Sequence, residues 1–123
     1  MAVRGVRGAT VAEKDEPEKI LFATRKLLNA ILTENPDMII EDIASVLFTS
    51  TDDLNSVYPA KAAREMGWNQ VPLISASEIP VPGGLAGCIR VLIHWNTDKT
   101  QSEIRHVYLG AAVSLRPDLS GKS

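Results

Sequence analysis

Arginines inside apolar, strand-like segments are the residues of this chain with the most evident chemical potential. Arg4 and Arg7 lie in the glycine-broken segment RGVRGAT, and Arg90 lies in the apolar run CIRVLIHW. Burying an unpaired guanidinium is costly, so each of these arginines requires either a nearby carboxylate or an acidic ligand. The sequence therefore indicates either a set of internal ion pairs or a local site for an anion.

The alternation of side chains along a strand decides which of these arginines can act together. In the second segment Arg90 shares one face with Leu92 and His94, so it projects among apolar neighbours. Arg4 and Arg7 are three residues apart, and on a regular strand they face opposite sides. Only one of them can therefore share a pocket with Arg90. The simplest interpretation of Arg90 by itself is an ion pair with a neighbouring strand or subunit.

Six other charged or aromatic residues have ordinary structural interpretations. Tyr108 alternates with apolar residues, as a packing residue does. Lys61 and Arg64 are three apart on one helical face and form a solvated surface. Glu78 ends a strand before a proline, where solvent or a salt bridge is the default. Asp52 and Asp53 are adjacent at the end of a strand, which is typical of a turn.

Motifs for covalent, phosphate-dependent or metal-assisted chemistry are absent from the sequence. It contains no P-loop, GxGxxG, GxSxG, HExxH or paired CxxC pattern. One cysteine and two histidines, His94 and His106, do not make a zinc site, and we expect no metal. Cys88 lies in an apolar strand, where a thiol is usually an inert core residue.

Composition places the chain among ordinary globular proteins. It has 123 residues, 45% of them hydrophobic, with a net charge of −2. This length predicts one domain, and the weakly acidic balance argues against nucleic-acid binding. A single cysteine fits a reducing compartment, and neither a signal peptide nor an apolar run of roughly 20 residues is evident. We expect a cytoplasmic protein without a membrane partner.

Periodicity predicts an α+β fold with five strands and one long helix. The helix begins at Pro17, repeats apolar residues every three or four positions and ends at Glu34 before Asn35-Pro36. A short alanine-rich helix follows Pro59 and is closed by Gly67. Residues 110–115 are short helical or irregular, and residues 116–123 form a polar, mobile tail. The predicted strands are Val3–Ala9, Ile43–Ser50, Val71–Ser77, Cys88–Asn96 and Ile104–Leu109.

The small number of helices has a consequence for assembly. One long helix and a shorter one cannot cover both faces of a five-stranded sheet. An apolar sheet face left bare is usually an association surface. We therefore expect a sheet-mediated oligomer with its helices outside.

Five segments occur in an order that resembles a known enzyme family. They are RGVRGAT, YPAKAAREMGW, VPLISASEI, GGLAGCIRVLIHW and IRHVYLGAAVSLRPDL. Together they resemble the small chorismate mutases of the mixed α/β, trimeric AroH class, over nearly the whole chain. CIRV and IRHVYL…LRPDL are the most specific parts.

The resemblance implies a two-layer α+β fold: a mixed five-stranded sheet with one long helix and shorter helices on one face. Residues 1–123 would form a single domain that assembles as a pseudo-α/β-barrel homotrimer, with active sites between subunits. The implied activity is the Claisen rearrangement of chorismate to prephenate, on the branch to phenylalanine and tyrosine. It would need no cofactor.

The resemblance also implies roles for individual residues. Arg7 would bind a substrate carboxylate, Arg90 would face the ether oxygen and a carboxylate, and Glu78 would accept a hydrogen bond from the ring hydroxyl. Tyr108 would help to hold a carboxylate, and Ser75, where the family often has cysteine, would keep a donor near the hydroxyl. Lys61 and Arg64 would supply positive potential at the mouth, and the pocket would be lined by Tyr58 (in place of phenylalanine), Ala60, Leu73, Ile74 and Leu115.

Two alternatives from other classes remain open on the sequence. A RutC-like trimeric enamine/imine deaminase also has a small α/β trimer and an arginine that grips a carboxylate between subunits. A non-catalytic protein that binds small carboxylates would use the same arginines without turnover.

Overall fold

Five strands and two α-helices make up most of the structure. The computed structural model describes residues 1–115, so the predicted tail, residues 116–123, lies outside the described residues. Short 3-10 helices occupy Ile40–Asp42, Gln101–Glu103 and Gly110–Leu115. The strands are β1 (Ala2–Val11), β2 (Ile43–Ser50), β3 (Leu73–Ser77), β4 (Cys88–Thr97) and β5 (Val107–Tyr108), and the helices are α1 (Pro17–Glu34) and α2 (Ala60–Glu65).

The strands form one mixed sheet in the order β3-β2-β4-β1-β5. The central strand β4 is antiparallel to both of its neighbours, β2 and β1. The edge strands β3 and β5 are parallel to β2 and β1 respectively. The predicted fold class, a mixed five-stranded α+β sheet with one long helix, is confirmed.

Helix α1 has the predicted bounds because local signals and packing agree. Pro17 occupies the first turn, where its missing N–H is not needed, and Glu18 follows it near the positive end of the helix dipole. Leu27, Leu28 and Ile31 are completely buried against the sheet. Asn35 caps the helix, and its side-chain Nδ2 donates to the carbonyl of Ile31 at 2.9 Å.

A close approach of α1 to β1 explains a glycine in the sheet. A Cβ atom at Gly8 would lie 2.8 Å from Cδ1 of Ile31 and 3.2 Å from Cδ1 of Leu27. The helix therefore rests directly on the backbone of β1 at this position. Gly5, on the opposite face, would meet only Cδ1 of Leu92, at 3.5 Å.

The fifth strand is much shorter than predicted, and hydrogen bonds from outside the sheet are the reason. Ile104–Leu109 was the predicted range, whereas β5 contains only Val107 and Tyr108. The backbone of Arg105 is held by the Asn35 side chain: its N–H donates to Oδ1 at 3.1 Å and its carbonyl accepts from Nδ2 at 2.9 Å. These bonds satisfy the backbone without a strand ladder.

Three other strands differ from their predicted bounds, and β4 extends one residue beyond the predicted end, to Thr97. Strand β1 runs from Ala2 to Val11 rather than Val3 to Ala9, because all ten residues pair with β4. Strand β3 begins at Leu73 rather than Val71, since Pro72 has no N–H to donate and contributes only its carbonyl, to the N–H of Val46.

Only one face of the sheet is covered by α1. The opposite face, called the open face below, carries alternate residues of the central strands, including Arg7, Leu47, Arg90 and Leu92. The two leucines are half-buried and the two arginines are exposed. Neither described helix combines the length and the apolar character that crossing a membrane requires.

The contact between α1 and β1 predicts a contrast between two glycines of one strand. Gly8→Ala should lower the free energy of unfolding by about 1–3 kcal/mol, because the new methyl group overpacks the helix interface. The matched variant Gly5→Ala should change it by less than about 0.5 kcal/mol. Urea denaturation measures both values, and equal effects would contradict the close helix approach.

Candidate active site

The strand register places two of the predicted arginines on the open face. Ala9 lies directly between Arg90 on β4 and Tyr108 on β5, and Arg7 pairs with Leu92. Directly paired residues share a face, so Arg7, Arg90 and Tyr108 lie on the same side of the sheet. The prediction that Arg4 and Arg7 face opposite sides is confirmed.

Arg4 has a structural role on the other side. Its Nε donates a hydrogen bond of 2.8 Å to the carbonyl of Lys99, and the residue is half-buried. Arg4 is therefore bound to the backbone near the end of β4 and is separate from the other two arginines.

A cleft of about 260 Å³ lies on the open face and gathers four of the predicted site residues. We call it the arginine cleft. Its polar groups can bind anions, and its apolar residues can pack against a ring. It is lined by Arg7, Gly8, Leu47, Thr49, Arg90, Val91, Leu92, Tyr108 and Leu115.

Arg90 is paired with Glu78 at the side of this cleft. The Arg90 Nε atom lies 3.2 Å from Oε1 of Glu78. The Glu78 side chain is 13% exposed and that of Arg90 is 48% exposed. The simple interpretation of both residues as ion-pair partners is therefore confirmed, but the guanidinium also borders an open cavity. A charge held in this way can also meet an anionic ligand.

Two further hydrogen bonds fix Glu78. Its backbone N–H donates to the carbonyl of Ser50 at 3.0 Å, which extends the β2–β3 ladder by one residue beyond β3. The Thr49 hydroxyl donates to Oε2 of Glu78 at 2.8 Å. The carboxylate thus has one oxygen on Thr49 and the other on Arg90.

The edge between β1 and β5 brings Arg7 and Tyr108 to the cleft. The backbone N–H of Arg7 donates to Nδ1 of His106 at 2.9 Å, so a side chain rather than a strand partner satisfies it. Leu109 donates its N–H to the carbonyl of Ala9. The side chain of Arg7 is exposed and that of Tyr108 is half-buried, which leaves both accessible to a ligand.

A second group of predicted residues, here called the β3-edge cluster, lies at the opposite edge of the sheet, beside β3. Tyr58 and Ser75 share a cavity of about 600 Å³, and Ile74 is 66% exposed. Lys61 and Arg64 are exposed on α2, as a solvated helix face would be. The β3-edge cluster comprises Tyr58, Ala60, Lys61, Arg64, Leu73, Ile74 and Ser75.

Ala60 differs from the rest of this cluster. Ala60 is 4% exposed and packs in the main core with Ala63 and Trp68. Small side chains let α2 approach the sheet closely, so within one chain Ala60 is a core residue rather than the wall of an open pocket. Leu73, on the helix-covered side of β3, is half-buried against the same core.

One chain keeps the arginine cleft and the β3-edge cluster apart. Ile74, Leu47, Leu92 and Arg7 stand in a single row across four strands. Neighbouring strands are about 4.8 Å apart, so Ile74 and Arg7 are separated by roughly 14 Å. The two groups of predicted site residues do not form one pocket within the chain.

Leu47, Thr49 and Leu92 were not predicted as site residues. Their sequence signal is only the alternation of a half-buried strand, which many other residues share. The row that contains Leu47 and Leu92, and the bond from Thr49 to Glu78, depend on strand register and on a residue 29 positions away. Sequence patterns do not give that register.

Cys88 lies next to the site, but its thiol is unreactive. It is completely buried, and burial together with the nearby negative charge of Glu78 raises the pKa of its thiol to about 11, against the opposing influence of Arg90. The thiol is therefore neutral at physiological pH, and the interpretation of Cys88 as an inert residue is confirmed. Among residues 1–115, no group of three or more potential ligands is arranged to hold a metal ion.

Comparisons with known proteins agree with one another. Residues 3–119 match the family model described as chorismate mutase type I. Chorismate mutase AroH of Thermus thermophilus is 56% identical over 117 residues, which cover 95% of this chain and 96% of that protein. Chorismate mutase AroH of Bacillus subtilis is 50% identical over 121 residues, covering 98% and 94%.

A solved structure gives the same result for the fold. The chorismate mutase from Clostridium thermocellum superimposes with a TM-score of 0.87 at 44% sequence identity. The match covers 89% of this chain and 97% of that one.

The raised pKa of Cys88 predicts a pH dependence of stability. The unfolded chain loses the thiol proton first, near the ordinary thiol pKa of 9.0, so stability is lost as the pH rises from there to about 11. The loss attributable to this group should be about 2–3 kcal/mol. Denaturation of wild type and Cys88→Ala across pH 8–11 measures it as the difference between the two curves. A constant difference would contradict the buried, neutral thiol.

Proposed function

The chain belongs to the chorismate mutase type I family, and on this premise we propose which of its residues carry the reaction. The protein is an isomerase that rearranges chorismate to prephenate, in the biosynthesis of phenylalanine and tyrosine. The observation that carries the proposal is the guanidinium of Arg90, held by Glu78 at the side of the arginine cleft.

The reaction requires fixed charge rather than acid-base groups. The ether bond breaks ahead of carbon–carbon bond formation, so partial negative charge develops on the ether oxygen and partial positive charge on the ring. No proton moves, no nucleophile attacks and no electron is exchanged with a cofactor, so we propose a reaction without one. A fixed cation beside the oxygen stabilises the transition state more than the ground state.

Arg90 is proposed as the group that stabilises the ether oxygen. Its ion pair engages Nε, and a guanidinium carries further N–H donors in the same plane. That planar fork remains charged at any physiological pH and can face an oxygen atom and a carboxylate together.

Glu78 is proposed to accept a hydrogen bond from the ring hydroxyl and to complement the positive charge that develops on the ring. Its two oxygens already accept from Thr49 and Arg90. A carboxylate has about four lone-pair positions, so it can accept another donor without losing these two.

Arg7 and Tyr108 are proposed to bind the substrate carboxylates. Both line the arginine cleft from the β1–β5 side, opposite the Glu78 side. Clamping the carboxylates holds the flexible substrate in the folded, pseudo-diaxial shape and lowers the entropic part of the barrier. Leu47, Leu92 and Leu115 supply the apolar surface around the ring.

We propose that the active site is completed between subunits of a homotrimer. Roughly 14 Å separate the two groups of site residues in one chain, and both border exposed surface. Tyr58 (71%), Ile74 (66%), Ile79 (84%) and Val81 (63%) are large exposed hydrophobic residues near the β3 edge, as expected of an association surface. In the trimer the β3-edge cluster would face the arginine cleft of a neighbour, with Lys61 and Arg64 at its mouth.

Residues 1–123 are proposed to form one domain that acts in the cytoplasm.

The activity is tested by incubating purified protein with chorismate and following its ultraviolet absorbance. The absorbance should decay as prephenate forms, and the rate should be nearly constant between about pH 6 and 8, since no catalytic proton transfer occurs. A bell-shaped pH profile would contradict the mechanism. Ammonia release from enamines would instead support the deaminase class, and binding without turnover would support a carboxylate-binding protein.

The proposed roles of the two cleft arginines predict different kinetic effects. Arg90→Gln should lower kcat by about 100- to 1,000-fold, because it removes the charge that faces the ether oxygen. Arg7→Ala should mainly raise KM, because it removes a carboxylate contact that exists before the reaction. Steady-state kinetics, with thermal unfolding as the control for folding, measures both. Near-normal turnover of the Arg90 variant would contradict its assigned role.

A further inference from the structure

We propose that Thr49 is a positioning residue for the rearrangement: its hydroxyl orients the Glu78 carboxylate, and through Glu78 it holds the Arg90 guanidinium at the cleft. This inference rests on the proposed function of Arg90. It assigns Thr49 no direct contact with the reacting atoms.

The contacts form a continuous chain across three strands. Thr49 on β2 is the register partner of Arg90 on β4, on the open face. Its Oγ1 donates to Oε2 of Glu78 at 2.8 Å, and Oε1 of the same carboxylate accepts from Nε of Arg90 at 3.2 Å. Glu78 thus bridges two residues that are already register partners on neighbouring strands.

Glu78 needs this support because of its place in the fold. It follows the last residue of the edge strand β3 and precedes Ile79, which is 84% exposed. Its backbone is anchored by the single ladder bond to Ser50, whereas its side chain has three rotatable bonds. Without the Thr49 hydroxyl, the ion pair with Arg90 would be the remaining side-chain contact that orients the Glu78 carboxylate.

Thr49 is a suitable anchor because its own geometry is restricted. A β-branched side chain in a strand has few accessible χ1 rotamers, so its hydroxyl direction is set by the sheet. Hydrogen bonds to an ionised group are also stronger than those between neutral groups. The position of the charge in the cleft is therefore tied to the central strands rather than to the loop that follows Glu78.

The expected effect is on turnover rather than on substrate binding. Electrostatic stabilisation depends on donors placed before the reaction, and small displacements reduce it strongly. The Thr49→Val variant keeps the shape and the strand preference of the side chain but removes the donor. It should lower kcat by roughly ten-fold while KM changes by less than about two-fold.

Three comparisons make the test specific. Thr49→Ser keeps the hydroxyl and should retain most of the wild-type kcat. Thr97→Val is the matched control: it removes a strand hydroxyl that accepts from the N–H of Lys99, seven residues beyond Arg90 on β4. In a Glu78→Ala background, the additional effect of Thr49→Val should vanish, because the residue through which Thr49 acts is gone.

A crystal structure of Thr49→Val supplies a readout that does not need activity. It should show the Glu78 carboxylate turned or the Arg90–Glu78 pair lengthened beyond 3.2 Å. A Glu78 carboxylate with both its orientation and its distance to Arg90 unchanged would overturn the inference, as would a kcat within about two-fold of wild type or an equal effect in the Glu78→Ala background. A wild-type protein that does not convert chorismate would overturn the proposed function itself, which separates the two failures.

Discussion

The ion pair between Arg90 and Glu78 is the interaction on which the proposed active site depends. Arg90 is the third residue of the largely apolar strand β4, and Glu78 supplies its counter-charge at 3.2 Å from just beyond the edge strand. The pair does not neutralise the site, since the Arg90 side chain remains 48% exposed beside a cleft. A partner that fixes a charge while leaving it accessible is what electrostatic catalysis requires, because the donor is in place before negative charge develops on the substrate.

The sheet arrangement explains why this pair can exist where it does. Helix α1 covers one face so closely that β1 needs Gly8, and the core of the chain is built on that side. The open face is therefore free to carry polar residues. Because β4 is the central strand, Arg90 has Thr49 as its register partner on β2 and Ala9, two residues from Arg7, as its partner on β1. The β3-edge cluster lies too far away to join them within one chain, which is why we propose a site shared between subunits.

The sequence predicted some parts of this structure well and others poorly, for physical reasons. Helix α1 was predictable because Pro17 and a long apolar repeat are local signals. The parity of Arg4 and Arg7 was predictable because strand alternation is fixed by backbone geometry. Strand β5 was overestimated because Asn35, 70 residues away, holds the backbone of Arg105. Leu47 and Thr49 were missed, and Glu78 was not identified as the ion-pair partner of Arg90, because each of these depends on long-range register. Only the resemblance to a known family joined Arg7, Glu78, Arg90 and Tyr108 into one predicted site.

A crystal structure of the assembled protein with a stable analogue of the transition state would test the central claim most directly. Our account predicts an Arg90 guanidinium nitrogen within about 3 Å of the ether oxygen of the analogue, with Glu78 still paired to Arg90. It also predicts contacts to the analogue from the β3-edge cluster of a second subunit. An ether oxygen without a guanidinium contact, or an analogue bound away from the arginine cleft, would contradict the account.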